Sequence, residues 1–450
     1  MFKDKKVLIV GMARSGVSAA KVLVDLGAQV TINDSKTADQ LGETVNPVLN
    51  IVANIDLGGP PQGVDQYDLM VMSPGVPVEL PFVVEAKRAG VEVIGEVELA
   101  YQLSQGTWLG ITGTNGKTTT TALTGAMFAA DQKSHFVVGN IGDPAVEKAQ
   151  LASDQTTMVT ELSSFQLETI HHFKTHVAGI LNFTPDHLNR HKTMENYIAA
   201  KCRIFENQTD KDYLILNFDQ DLTWSVGKQA KGQVIPFSRA HQLDRGVFIK
   251  EGQVVIADGN GLIPVCPVAD INIKGPHNLE NALAATAMAY YGGVSVEAIA
   301  SALKTFKSIA HRTEPIGTVQ GVLYINDSKG TNPDASIVAL KAMDVPTVLI
   351  AGGMDKGSDF TELVQHFHDQ IKRVLVIGET ADQILETARQ HGYDAIEKVT
   401  NMEQAVSRAS QIAGEGWNVL LSPACASWDM YASYEVRGDH FRTCVEKLRG

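Results

Sequence analysis

The stretch Gly110-Ile-Thr-Gly-Thr-Asn-Gly-Lys-Thr-Thr-Thr120 leaves its surroundings little conformational choice. The run Thr107–Thr112 reads as a strand, the residues from Lys117 onward read as a helix, and a glycine turn joins them. Gly113 and Gly116 lack Cβ, so the turn can take positive φ and bring its backbone close to an anion. The first N–H groups of the following helix have no intrahelical acceptor, and the helix dipole favours negative charge there. Lys117 can reach β- and γ-phosphates, and the Thr118 hydroxyl can ligate Mg²⁺. The pattern departs from the usual phosphate loop at one place: glycine stands at Gly110, where the expected position is Ile111. An ordinary glycine-rich strand-to-helix turn is the competing explanation.

A chain of 450 residues exceeds one ordinary core, and about three domains are expected. Hydrophobic and charged fractions of 44% and 20% exclude disorder as the expectation. No apolar run is long enough to span a bilayer, and Met1-Phe-Lys-Asp-Lys-Lys6 leads into a strand without a signal-peptide core. A cytoplasmic location with no membrane partner is therefore expected. Cys202, Cys266, Cys425 and Cys444 form no C-x-x-C pair and read as reduced thiols. The charge of −13 argues against nucleic-acid binding, which needs a basic footprint. It leaves a small anionic ligand open, since that needs only local donors.

Strand and helix signals alternate from the start. Lys6–Val10 is an apolar run, Gly11–Gly16 a turn, Val17–Leu26 helical, and Gln29–Ile32 a second strand closed by Asn33-Asp34. This is the opening βαβ of a doubly wound sheet. Alanine, at Ala13, replaces the middle glycine of the dinucleotide fingerprint, and Asp34 lies near the place of its ribose-binding acid. An NAD dehydrogenase domain is the rival reading of this part. Leu69–Met72 followed by Ser73-Pro-Gly-Val-Pro77 is a further strand with a rigid turn. Residues 1–97 read as a Rossmann-like nucleotide-binding unit. Residues 98–309 read as a central P-loop α/β unit, and 310–450 as a third α/β unit.

Ligands in open α/β sheets bind outside the carboxyl ends of strands. Glu161 and His187 each follow a buried-type strand, so Lys117, Glu161 and His187 converge if those strands are parallel neighbours. Glu161 suits a metal ligand, or a helix N-cap or first-turn acid. His187 suits either a ligand or a surface or capping residue; His191 and His171-His172 receive no role. Thr193–Asn207 reads as a helix whose apolar stripe, Tyr197, Ile198, Ile204 and Phe205, also holds Lys201. Two explanations stay open for Lys201. Its amine can snorkel to water. Alternatively, burial lowers its pKa, and the neutral amine adds CO₂ to become an anionic oxygen ligand. Asn278 and Asn281 share a helix face, with Asn278 also suited to an N-cap. Arg312 and Asp327 suit either a nucleotide clamp or an ion pair.

The motifs Gly113-Thr-Asn-Gly-Lys-Thr118, Glu161-Leu-Ser-Ser-Phe-Gln-Leu167, Asn182-Phe-Thr-Pro-Asp-His187, Ala200-Lys-Cys-Arg203, His277-Asn-Leu-Glu-Asn281, Asn326-Asp-Ser-Lys329 and Leu421-Ser-Pro-Ala-Cys-Ala-Ser-Trp-Asp429 together resemble the Mur ligase family of peptidoglycan synthesis. The resemblance covers essentially the whole chain. It implies an ATP-dependent amide ligase working through an acyl phosphate, and points to the D-glutamate-adding members. It implies UDP-N-acetylmuramoyl-L-alanine and D-glutamate as substrates, two Mg²⁺ ions, and a monomer.

By the same resemblance, Gly113, Thr114, Asn115, Gly116, Lys117, Thr118, Thr119, Asn278, Asn281, Arg312 and Asp327 would bind ATP. Asp34, Ser35, Ser73, Pro74, Gly75 and Asn140 would bind the UDP substrate. Lys329, Thr331, Lys356, Ser427 and Tyr434 would receive D-glutamate. Thr118 and Glu161 would hold one metal ion, while His187 and a Lys201 carbamate would help hold the second. Lys117, His187 and Lys201 would be the catalytic residues. Sister ligases fit less well: the alanine-adding enzyme usually has His in place of Asn115, and the Asp-Asn-Pro-Arg motif of diamino-acid-adding enzymes is absent. A folylpolyglutamate ligase and a non-catalytic nucleotide switch are the remaining rivals.

Overall fold

The computed structural model describes residues 2–41, 46–307, 310–354, 357–367 and 370–449. The chain forms two compact units, one of Met1–Lys274 with Asn278–Phe306, the other of Gly275–His277 with Lys307–Gly450. Strands in the first unit build two sheets. The leading sheet contains β1 Lys6–Val10, β2 Gln29–Asp34, β3 Asn54–Leu57, β4 Leu69–Met72 and β5 Glu92–Gly95. Their order is β3-β2-β1-β4-β5, all parallel. Strands β1 and β4 are near-continuous apolar runs because helices cover both faces of a parallel sheet.

The second sheet contains β6 Thr107–Thr112, β7 His135–Gly139, β8 Thr157–Glu161, β9 Val177–Ile180, β10 Tyr213–Asn217, β11 Gln233–Ser238, β12 Gly246–Lys250, β13 Gln253–Ala257 and β14 Leu262–Pro267. Its order is β14-β13-β12-β11-β10-β9-β6-β8-β7. Strands β6 to β11 are parallel, and the edge β12-β13-β14 is antiparallel. β6 sits between β8 and β9, which puts the carboxyl ends of all three side by side.

One buried cluster runs through both sheets, from Val7, Ile9 and Ile32 to Trp108, Met158 and Phe173. The helix Glu96–Leu103 connects them, and its buried acid Glu98 accepts the backbone N–H groups of His171, His172 and Phe173. A buried carboxylate stays only where donors surround it, and these three supply that need.

The second unit holds β15 Glu314–Val319, β16 Val322–Asn326, β17 Thr347–Ala351, β18 Ile371–Val376, β19 Ile396–Lys398 and β20 Asn418–Leu421. The order is β15-β16-β20-β17-β18-β19, with only β15 antiparallel. Among the described residues no helix is long and apolar enough to cross a membrane.

Candidate active site

The glycine turn after β6 is held from outside. Asn115 N–H donates to Asn182 Oδ1 at 2.8 Å, and Asn182 Nδ2 returns a bond to Asn115 O at 3.0 Å. The Thr114 hydroxyl bridges Thr184 and the Tyr197 hydroxyl. Sequence reasoning gave Asn182 and Tyr197 no part here; their placement just after β9 and on the Lys201 stripe was the available signal. Gly116 has φ 84°, and a Cβ there would lie 2.2 Å from Asn281 Oδ1. Only glycine lets the helix Pro276–Tyr291 press against the turn. Gly110 serves packing, since a Cβ would meet Thr175 at 2.7 Å.

Lys117 opens the helix Lys117–Ala130, and its ammonium donates to Gly113 O and Thr114 O at 3.0 and 2.7 Å. In the same first turn, Thr118 Oγ1 and Thr119 Oγ1 are buried with no hydrogen-bond partner among the described residues. A buried orphan hydroxyl is costly, and a hard oxygen donor beside a phosphate turn fits a magnesium ion or a phosphate.

Glu161 is the last residue of β8, buried and in register with Ile111. Its expected alternative as a helix cap is overturned: Ser163 caps the next helix through a capping box with Gln166. Asn140 donates to Glu161 Oε1 at 3.0 Å, so the residue expected at substrate orients the carboxylate.

Lys201 is 2% exposed, which overturns snorkelling. The expected helix Thr193–Asn207 is α-helical only over Met194–Cys202, with Thr193 as its cap and a 3₁₀ turn over Arg203–Phe205. The amine donates to Gly113 O at 2.9 Å and lies 4.8 Å from the Tyr197 ring centroid. Burial first, then the Lys117 charge, holds its pKa well below the usual lysine value, against Asp186 and Glu161. Lys201, Lys117 and Glu161 are thus one electrostatic neighbourhood.

His187 precedes the short helix Leu188–His191 with φ 55°, and its ring packs edge-on against Phe165 at 4.8 Å. Asn281 Nδ2 lies 3.4 Å from Asn278 Oδ1. Asn278 is no N-cap: it sits inside the first turn and donates back to Lys274 O.

In the leading sheet, Ser73 Oγ donates to Gly11 O, and Asp34 accepts the N–H groups of Met12 and Lys36. Ser35, Pro74 and Gly75 lie at the strand ends beside them.

In the second unit Asp327 is buried. Burial raises its pKa to about 6, while Ser422, Arg312 and Thr313 pull the other way. Lys329 Nζ lies 5.1 Å from the Tyr434 ring centroid, and Thr331 N–H donates to Lys329 O. Arg437, which is buried, donates to Ser328 O, Cys425 O and Ala426 O, which draws Lys329 and Ser427 to one strand-end region. Lys356 lies outside the described residues.

Three family models match the chain. They are "Mur ligase MurD-like, N-terminal domain" over residues 5–95, "Mur ligase middle domain" over 111–289, and "Mur ligase, glutamate ligase domain" over 311–425. A UDP-N-acetylmuramoylalanine–D-glutamate ligase of Alkaliphilus metalliredigens is 49% identical over 450 residues, covering 99% of each chain. One of the same name from Clostridioides difficile is 46% identical over 450 residues, again covering 99% of each. Among solved structures, the UDP-N-acetylmuramate-alanine ligase MurC of Thermotoga maritima aligns with TM-score 0.63 at 17% identity, over 98% of this chain and 99% of that one. At such identity the shared fold is what the likeness carries.

Proposed function

The chain belongs to the Mur ligase family, and from that premise we propose that it joins D-glutamate to UDP-N-acetylmuramoyl-L-alanine with ATP. Relatives 46% and 49% identical over nearly their whole length carry that activity in their names, which supports the choice of substrates. The observation that carries the chemistry is the meeting of a phosphate turn, the strand-end Glu161 and the buried Lys201 at the carboxyl end of one sheet.

A carboxylate is a poor electrophile, and with an amine it forms a salt. Transfer of the terminal phosphoryl of ATP onto an L-alanine carboxylate oxygen breaks the bond to ADP and makes an acyl phosphate. The D-glutamate amine, uncharged, adds to the acyl carbon; the adduct loses one N–H proton, which balances on the phosphate expelled as the amide forms. Positioning and charge neutralisation carry such a transfer. Lys117 leaves the Gly113 and Thr114 carbonyls for the phosphates. Asn278, Asn281, Arg312 and Asp327 contact the nucleotide. Residues 1–97, through Asp34, Ser35 and Ser73–Gly75, hold the UDP end, and Asn140 contacts substrate beside Glu161. Lys329, Thr331, Lys356, Ser427 and Tyr434 receive D-glutamate. Thr118 and Glu161 would hold one magnesium ion, and His187 with a carbamylated Lys201 would help hold another. Magnesium, when bound, spreads the negative charge of the transferring phosphoryl.

Phosphate release from ATP, with candidate carboxylates and amines offered in pairs, tests the reading. Release that requires both UDP-N-acetylmuramoyl-L-alanine and D-glutamate is expected. Release independent of either one overturns it.

A further inference from the structure

A second charged cluster, half-buried, lies beside this site. Arg190 follows His187 in the short helix Leu188–His191, and its side chain is 12% exposed. Its Nη2 donates to Glu168 Oε2 at 2.5 Å and to Val76 O at 3.1 Å. The guanidinium lies 5.1 Å from the Phe165 ring centroid, and the same ring packs edge-on against His187. Glu168 also faces His191 Nδ1 at 3.5 Å, while His191 Nε2 meets Ser164 Oγ at 2.9 Å. Burial holds the His191 pKa below its usual value, so the charge facing Glu168 is mainly that of Arg190.

These contacts join three strand ends. Val76 belongs to the turn after β4 in the leading sheet. Phe165 and Glu168 belong to the segment after β8, four and seven residues beyond Glu161. Arg190 belongs to the segment after β9 that carries His187. A planar guanidinium can serve a carboxylate, a carbonyl and a ring face together, which a lysine ammonium cannot.

We propose that Arg190 is a positioning residue that sets the turn Ser73–Val76 against the segments bearing Glu161 and His187, so that a substrate held at that turn reaches the phosphate site in register. The proposal rests on the reading of Ser73–Gly75 as part of the UDP-substrate site. Misplacement of about 1 Å at a distance from the chemistry can cost roughly 10²-fold in rate, which sets the scale of the expected effect.

The test uses the full chain and three variants: Arg190→Lys, Glu168→Gln and the double variant. Steady-state kinetics are measured with UDP-N-acetylmuramoyl-L-alanine and with Mg-ATP as the varied substrate, beside thermal melting. Arg190→Lys should lower kcat/KM for the UDP substrate by about 10²-fold while KM for ATP stays within about twofold. Glu168→Gln should produce part of that loss, and the double variant should lose less than the product of the two. Retention of kcat/KM in Arg190→Lys overturns the proposal. So does a loss that matches the unfolded fraction read from melting, with kcat and both KM values of the folded protein unchanged, which would mark Arg190 as merely structural. If Arg190→Lys does not fold, Glu168→Gln alone decides by the same split. A wild-type chain that does not turn over the UDP substrate fails the functional reading itself, a result distinct from either outcome above.

Discussion

The turns after β1 and after β6 share a signature, strand then glycine turn then helix, yet they differ in what their donors meet. After β1, Asp34 accepts the Met12 N–H at 2.7 Å, and Ser73 Oγ donates to Gly11 O at 2.9 Å. Gly11 has φ 98°, and a Cβ there would stand 2.7 Å from Ser73 Cβ. The first turn is therefore closed by its own chain: its glycine makes room for a neighbouring strand end. After β6, the turn is braced from behind by Asn182 and Asn281, while the Thr118 and Thr119 hydroxyls stay buried without partners among the described residues. A glycine-rich turn announces close approach of something; whether that something is protein or ligand depends on which polar groups remain unsatisfied.

Replacing Lys117 with alanine should break this contrast most severely. We expect a loss of about 10²–10³-fold in kcat, the scale of one preorganised electrostatic group, measured as phosphate release. Lys201→Ala should also abolish most synthesis, and short carboxylic acids should restore part of it, because they replace an anionic oxygen ligand. Failure of rescue, with an unmodified amine in a high-resolution map, would count against the carbamate.

Thr118→Val keeps the shape and removes one hydroxyl. Metal-dependent ATP affinity should fall by roughly 10–100-fold, the usual range for disturbed metal support. Stability should rise slightly, because that buried hydroxyl bonds to nothing among the described residues and an isosteric methyl removes its desolvation cost. Ser73→Ala should do the reverse: about 1 kcal/mol of stability lost with its hydrogen bond, read from denaturant midpoints, and no change in ATP affinity.

The smallest effect concerns pH. Burial and Lys117 lower the Lys201 pKa, so between that lowered value and the ordinary lysine value the unfolded chain binds more protons than the folded one. Stability should then rise with pH across that window. Lys201→Met should flatten this slope in carbon-dioxide-free buffer. An unchanged slope would mean that the amine is solvated in the fold.

Much of the fold was legible because its cues are local. The strand Thr107–Thr112, the helix starting at Lys117 and the strands Lys6–Val10 and Leu69–Met72 match the expected spans. Apolar runs and glycine turns act over a few residues. The site was half legible. Lys201 stood out on its apolar stripe, but its choice between snorkelling and burial depended on Tyr197 and the Gly113 carbonyl closing over it. Glu161 looked equally like a cap, and the capping box at Ser163 decided otherwise. Arg190 and Glu168 carried no signal, since a charged pair reads as a solvated surface until three distant strand ends enclose it.

By itself, then, the sequence determined which residues can be strand, turn and helix, and which chemical groups stand at strand ends. Those properties follow from backbone sterics and side-chain chemistry over short distances. Only the tertiary structure decided that β6 lies between β8 and β9, that Asn281 presses on Gly116, and that Lys201 is dry. Strand order and desolvation are set by how distant segments share one core, and no window of neighbouring residues contains that information.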